Sequence, residues 1–129
     1  MKFLRFKRNF PSVMVLIALA MIPSISFANY ECRGTVNNVS TDQGSNVLAS
    51  FIFSTGSMPF MYVCNLNQVS NGISAEGCKG MLSILLTAQA TQRTVGLWFN
   101  NTTPNNCSYS AGWVSLTSLG WYFGPSLYN

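Results

Sequence analysis

The sequence predicts a small α+β domain that is mainly β: three strands, one helix, then two or three strands, held by two disulfides. Three observations predict it. Four cysteines follow an N-terminal export signal, and small exported domains are commonly stapled by disulfides. Several stretches alternate apolar and polar residues at period two. One stretch, residues 74–91, instead repeats apolar residues at steps of three and four.

The first 28 residues read as a removable signal. Lys2, Arg5, Lys7 and Arg8 fall in an acid-free start, and VMVLIALAMI (residues 13–22) supplies ten apolar residues. A membrane-spanning helix needs about 20. Pro23 ends that run, and Ser26-Phe27-Ala28 places small residues at the two positions a signal peptidase reads. Cleavage is expected after Ala28, leaving one domain of 101 residues, Asn29 to Asn129. No cysteine follows the cut, so no lipid-modified terminus is expected. No later run reaches about 18 apolar residues, so the mature chain is not expected to be an integral membrane protein. The expected location is the periplasm or the medium.

The elements follow in order. Cys32–Val39 (CRGTVNNV) is β-compatible, and STDQGS at 40–45 is turn chemistry. Val47–Phe53 alternates, with Val47, Ala49, Phe51 and Phe53 on one face. Thr55-Gly56-Ser57 reads as a hairpin turn. In Pro59–Leu66, alternation puts Phe60, Tyr62, Cys64 and Leu66 on one aromatic face. After a polar loop, Ser74 is the expected N-cap of a helix running to about Thr91, with Glu76 in its first turn. Cys78, Met81, Leu82, Leu85 and Ala88 form its apolar stripe. Thr94–Phe99 is the next strand, with Val95, Leu97 and Phe99 facing one way and Trp98 the other. NNTTPNN (100–106) is a loop. Trp113–Leu119 alternates again and reads as a strand. Gly120 permits a bend, Trp121–Phe123 makes a last short strand, and Gly124-Pro125 ends regular structure.

Three strands, a helix and two or three strands is the order of a small OB-fold-like barrel, a five-stranded Greek-key barrel with its helix between the third and fourth strands. An α+β roll with the helix over an open sheet is the alternative. The cysteines, 32, 64, 78 and 107, allow three pairings and lack zinc spacing. Cys64 on its strand and Cys78 on the helix stripe both face the expected core, which favours Cys64–Cys78. Elimination then leaves Cys32–Cys107.

The stretch Tyr62–Phe99 holds a strand cysteine, a second cysteine 14 residues on, a striped helix and the strand TVGLWF. In this it resembles the B subunits of pertussis- and subtilase-type bacterial toxins. That resemblance implies an exported OB-fold subunit of a pentameric ring that binds host glycans. It departs from the family in placing Cys78 in the first helical turn. No counterpart of the family's sugar-contacting serine stands here, so no glycan-binding residue carries over. CKGMLSILLTAQATQRTVGLWFN (78–100) also resembles small uncharacterised exported proteins of Gram-negative bacteria, which bring no activity but imply a Gram-negative origin.

Composition narrows the function. The whole chain carries a net charge of +4, but all of that excess lies in the signal. The mature part sets Arg33, Lys79 and Arg93 against Glu31, Asp42 and Glu76, a net charge of zero. Three cations cannot supply the positive groove that nucleic acid requires, so no nucleic-acid partner is expected. There is no histidine, hence no His base and no His-ligated metal; no metal and no cofactor are expected. The three acids lie on different segments, apparently exposed, where paired-carboxylate hydrolysis needs two in one cleft. The expectation is therefore not an enzyme but a non-catalytic binding module. Asn, Ser and Thr make 34 of the 101 mature residues, which suits a neutral glycan or a protein partner, and low charge favours a homo-oligomer. Of 13 mature aromatics, Trp98 and Trp113 are the candidate ligand or interface residues, because alternation turns both outward and Trp can stack on sugar faces. The alternative function is a periplasmic structural or protein-interaction role.

Overall fold

The computed structural model describes residues 29–100 and 105–129. The segment 1–28, expected to be an export signal, lies outside the described residues, as does part of the 100–106 loop. One antiparallel sheet of five strands carries a single helix: β1 (Tyr30–Thr41), β2 (Asn46–Phe53), β3 (Gly56–Asn65), α1 (Ala75–Thr91), β4 (Val95–Phe99) and β5 (Trp121–Leu127). The strand order is β3-β2-β1-β4-β5, and β3 and β5 are not joined, so the sheet is open rather than a closed barrel. Among the described residues no helix is long and apolar enough to cross a membrane.

The long β1 is the spine. Its first half pairs with β4 (Cys32 opposite Leu97) and its second with β2 (Val39 opposite Ala49). Gly34 belongs to both ladders, opposite Phe53 and Val95. A Cβ there would stand 2.1 Å from the Ile52 carbonyl oxygen, so only glycine lets the strands approach. The core lies on one face, where Cys32, Val36, Val47, Phe51, Met58, Met61, Leu97 and Phe99 are buried.

α1 covers that face. Ser74 caps it, its hydroxyl accepting from the Gly77 N–H at 3.0 Å. Cys78, Leu85 and Ala88 are buried and Met81 and Leu82 half-buried, the stripe expected from the sequence. The two disulfides are Cys64–Cys78 and Cys32–Cys107. The first ties β3 to α1, and the second ties β1 to a turn at Asn105–Cys107 in which Asn106 and Cys107 take φ 53° and 56°.

Three expectations need correction. Cys64 does not share a face with Phe60 and Tyr62. Val47 pairs with Cys64 while Leu48 pairs with Tyr62, so Val63 is an extra residue in β3. A bulge reverses the alternation beyond it, sending Cys64 to the core with Val47 and Tyr62 to the other face. Second, Trp113–Leu119 is not a strand. Only Ser115 makes a bridge, to Tyr62, and Leu116–Leu119 is a 3₁₀ turn. The local hydroxyls compete with a ladder there: Ser118 donates to the Ser115 carbonyl at 2.6 Å, and the Ser115 and Thr117 hydroxyls lie 2.8 Å apart. Third, regular structure does not end at Gly124-Pro125, because β5 runs through it to Leu127. Pro125 is tolerated because β5 ends the sheet and its outer edge carries no ladder. Gly124 has φ 102°, and a Cβ there would lie 2.5 Å from the Gly96 oxygen.

Candidate functional site: an outward aromatic cluster

Trp113 stands 62% exposed, the most solvent-open of the large aromatic side chains described. Its ring stacks on Phe60 at 5.6 Å with an interplanar angle of 7°, and Tyr62 meets it edge-on at 6.1 Å and 60°. Phe60 is itself 38% exposed and Tyr62 half-buried. The backbone builds this arrangement. The register steps from Ala49–Met61 to Phe51–Met58, an irregularity that carries Phe60 out of the alternation. Phe60 takes φ 46°, and its N–H donates to the Ser50 hydroxyl at 2.9 Å. Trp113 takes φ 63°, and its N–H donates to the Phe60 carbonyl at 2.9 Å. Tyr62 N–H donates to the Val114 carbonyl at 2.9 Å. A bulky residue in the left-handed region costs about 1–3 kcal/mol and persists only where surrounding contacts hold it. Two of them stacked together hold a flat aromatic platform toward solvent.

Trp98 is elsewhere. It is half-buried on the outward face of β4, opposite Glu31 on β1 and Phe123 on β5. Among the described residues no ring contact joins it to the Trp113 cluster. The two candidate tryptophans thus belong to different surfaces. Phe60 and Tyr62, assigned by alternation to the face of Cys64, are the partners that sequence reasoning missed. The signal for them was Pro59 beside an aromatic pair, but a bulge has no composition of its own.

The charged groups are used in the scaffold. Glu31 accepts from Arg33 Nε at 2.8 Å and from the Tyr128 hydroxyl. Its side chain is 11% exposed, so it is covered rather than open as expected. These bonds to the Glu31 carboxylate push the Tyr128 phenol and the Arg33 guanidinium up from their ordinary values. The guanidinium lies 4.3 Å from the Tyr128 ring centroid. Arg93 Nε donates to the Tyr128 carbonyl at 2.9 Å and its terminal nitrogen donates to Asn129. Asp42 accepts from the Asn46 side chain at 2.9 Å and its backbone N–H at 3.0 Å. Those bonds hold its carboxyl below the usual range. Glu76 pairs with Lys79 one helical turn on, at 2.7 Å. Among the described residues no group of three or more His, Cys, Asp or Glu could hold a metal ion. Comparison with protein-family models, with curated proteins and with solved structures gives no match.

Proposed function

We propose that the mature chain is a non-catalytic exported binding module whose Phe60–Tyr62–Trp113 platform takes the apolar face of a neutral glycan. The observation that carries this reading is Trp113, 62% exposed and held at φ 63° on Phe60. An indole fixed flat toward water stacks on a sugar ring without losing side-chain freedom on binding. The neutral mature surface supports an uncharged ligand. The strand order β3-β2-β1-β4-β5, with α1 between β3 and β4, is that of an OB-like barrel opened between β3 and β5. It supports the toxin-subunit resemblance, which in turn implies a ring of five copies in the periplasm or outside the cell.

A second reading is a periplasmic structural or protein-interaction role. It is favoured by Ile52, 48% exposed near the end of β2, and by exposed Val69 and Leu86. A glycan array probed with the refolded mature chain separates the two. Binding confined to neutral oligosaccharides supports the first reading. A blank array alongside capture of a protein partner through Ile52 supports the second.

A further inference from the structure

We propose that the outer edge of β5 and the adjoining side of α1 form a second binding site, which accepts a short, uncharged, extended peptide as an added strand. This site is independent of the aromatic platform. A cavity of about 380 Å³ lies there, within the usual range for ligand sites. Its strand wall is six consecutive residues, Trp121–Ser126. Trp121, opposite Phe99, and Phe123, opposite Trp98, come from the two faces of β5, so a cavity that both line opens along the strand's edge. The facing wall includes Ile73 and, from α1, Met81 and Ile84.

The two ends of the sheet are treated differently. The edge of β3 is covered by residues 109–115: Tyr109 N–H donates to Ser57 at 3.0 Å, Trp113 to Phe60 and, in the other direction, Tyr62 to Val114, both at 2.9 Å. Among the described residues no backbone hydrogen bond or bridge joins the outer edge of β5 to any segment. An unpaired edge is a template for another strand. In strand addition, main-chain bonds supply affinity while edge pockets select side chains. Pro125 has no N–H, so pairing falls on Trp121–Phe123.

The wall chemistry names the occupant. No charged residue lines the cavity, so a charged segment would lose its hydration without gaining a counter-ion. Trp121 is 5% exposed, and its indole Nε1 is the one buried side-chain polar atom without a hydrogen-bond partner among the described residues. That nitrogen is closed to solvent and stays unpaired within the fold; what a peptide strand meets here is the main chain of the β5 edge and the neutral side chains of Met81, Ile84 and Phe123.

The test pans a phage-displayed random heptapeptide library against the mature, disulfide-bonded chain. The selected peptide is then followed by nitrogen–proton NMR correlation spectra. Uncharged sequences rich in β-branched or aromatic residues are expected. They should shift the Trp121 indole, the β5 amides and Met81–Ile84, leaving the Trp113 indole unmoved. Ile84→Lys, at a half-exposed helix position, should abolish binding with the remaining spectrum intact. No convergent sequence, unchanged affinity in Ile84→Lys, or shifts at Trp113 instead would overturn the proposal. So would β5 shifts that follow protein concentration without peptide, which make a second copy the occupant. β5 shifts on adding a neutral oligosaccharide, with none on adding peptide, would make it a glycan site and overturn it likewise.

Discussion

Asn65 shows how much of this scaffold rests on single neutral side chains. It is 2% exposed, yet its amide donates to the Gly44 carbonyl and the Asn46 side chain, both at 2.8 Å. Its oxygen accepts from the N–H groups of Asn67 at 2.9 Å and Gln68 at 3.1 Å. One buried amide thus fixes both the β1–β2 turn and the exit from β3. Asn65→Ala strands four partners and should cost about 2–4 kcal/mol in urea denaturation. Asp42 adds a pH dependence at the same turn. Its native pKa is lowered by its bonds to Asn46, so it contributes stability above its ordinary value of about 3.9. That contribution is lost as pH falls through the lowered native value. Stability measured from pH 5 downward should therefore decline less steeply in Asp42→Ala than in the wild type. None of this was legible in the sequence, where Asn65 is one polar residue at a strand end.

Elements fared differently according to how local their causes are. α1 was legible from its stripe and from Ser74, because a cap and a 3.6-residue period are properties of adjacent residues. β2 and β4 were legible because Val47, Ala49, Phe51 and Phe53, and likewise Val95, Leu97 and Phe99, recur at every second residue and are buried. β3 was misread because its two irregularities depend on pairing with β2. The segment 113–119 was misread because Leu116 and Leu119, three apart and both buried, follow a 3₁₀ period inside an apparently alternating run. Gly34 belongs to this scale too, since only strand pairing reveals it. Gly34→Ala meets the Ile52 backbone at 2.1 Å and should lower stability by about 3 kcal/mol, the upper part of the overpacking range. Thermal melting checks this, and an unchanged Tm would mean that β1 can move away from β2.

At the scale of the molecule, two staples and one sheet carry a neutral surface. The Cys64–Cys78 bridge closes 14 residues and Cys32–Cys107 closes 75. Chain-entropy reasoning assigns them about 3 and about 4 kcal/mol respectively. Replacing both cysteines of the longer bridge by Ser should thus be the more damaging change in denaturant titration. With zero net charge over residues 29–129 and several exposed apolar side chains, we expect self-association. Light scattering at micromolar concentration should give a mass above that of one 101-residue chain; the monomer mass would remove the ring from the account. Alternation led us to expect both Trp98 and Trp113 to face outward; Trp98 is half-buried on β4, while Trp113 is exposed by a left-handed turn outside any strand. The left-handed turns that expose Trp113 and Phe60 arise from a contact between β3 and a segment some 50 residues later.

The central claim is that the Phe60–Tyr62–Trp113 platform is the ligand surface, and the most direct measurement is a neutral-glycan array read in parallel with wild type, Trp113→Ala and Trp98→Ala. Because Trp113 is mostly exposed, its replacement should cost no more than about 1.5 kcal/mol of stability, the worth of one aromatic pair. The account predicts that Trp113→Ala loses glycan binding while remaining folded, and that Trp98→Ala keeps it. Binding retained by folded Trp113→Ala, or lost only in Trp98→Ala, would contradict it.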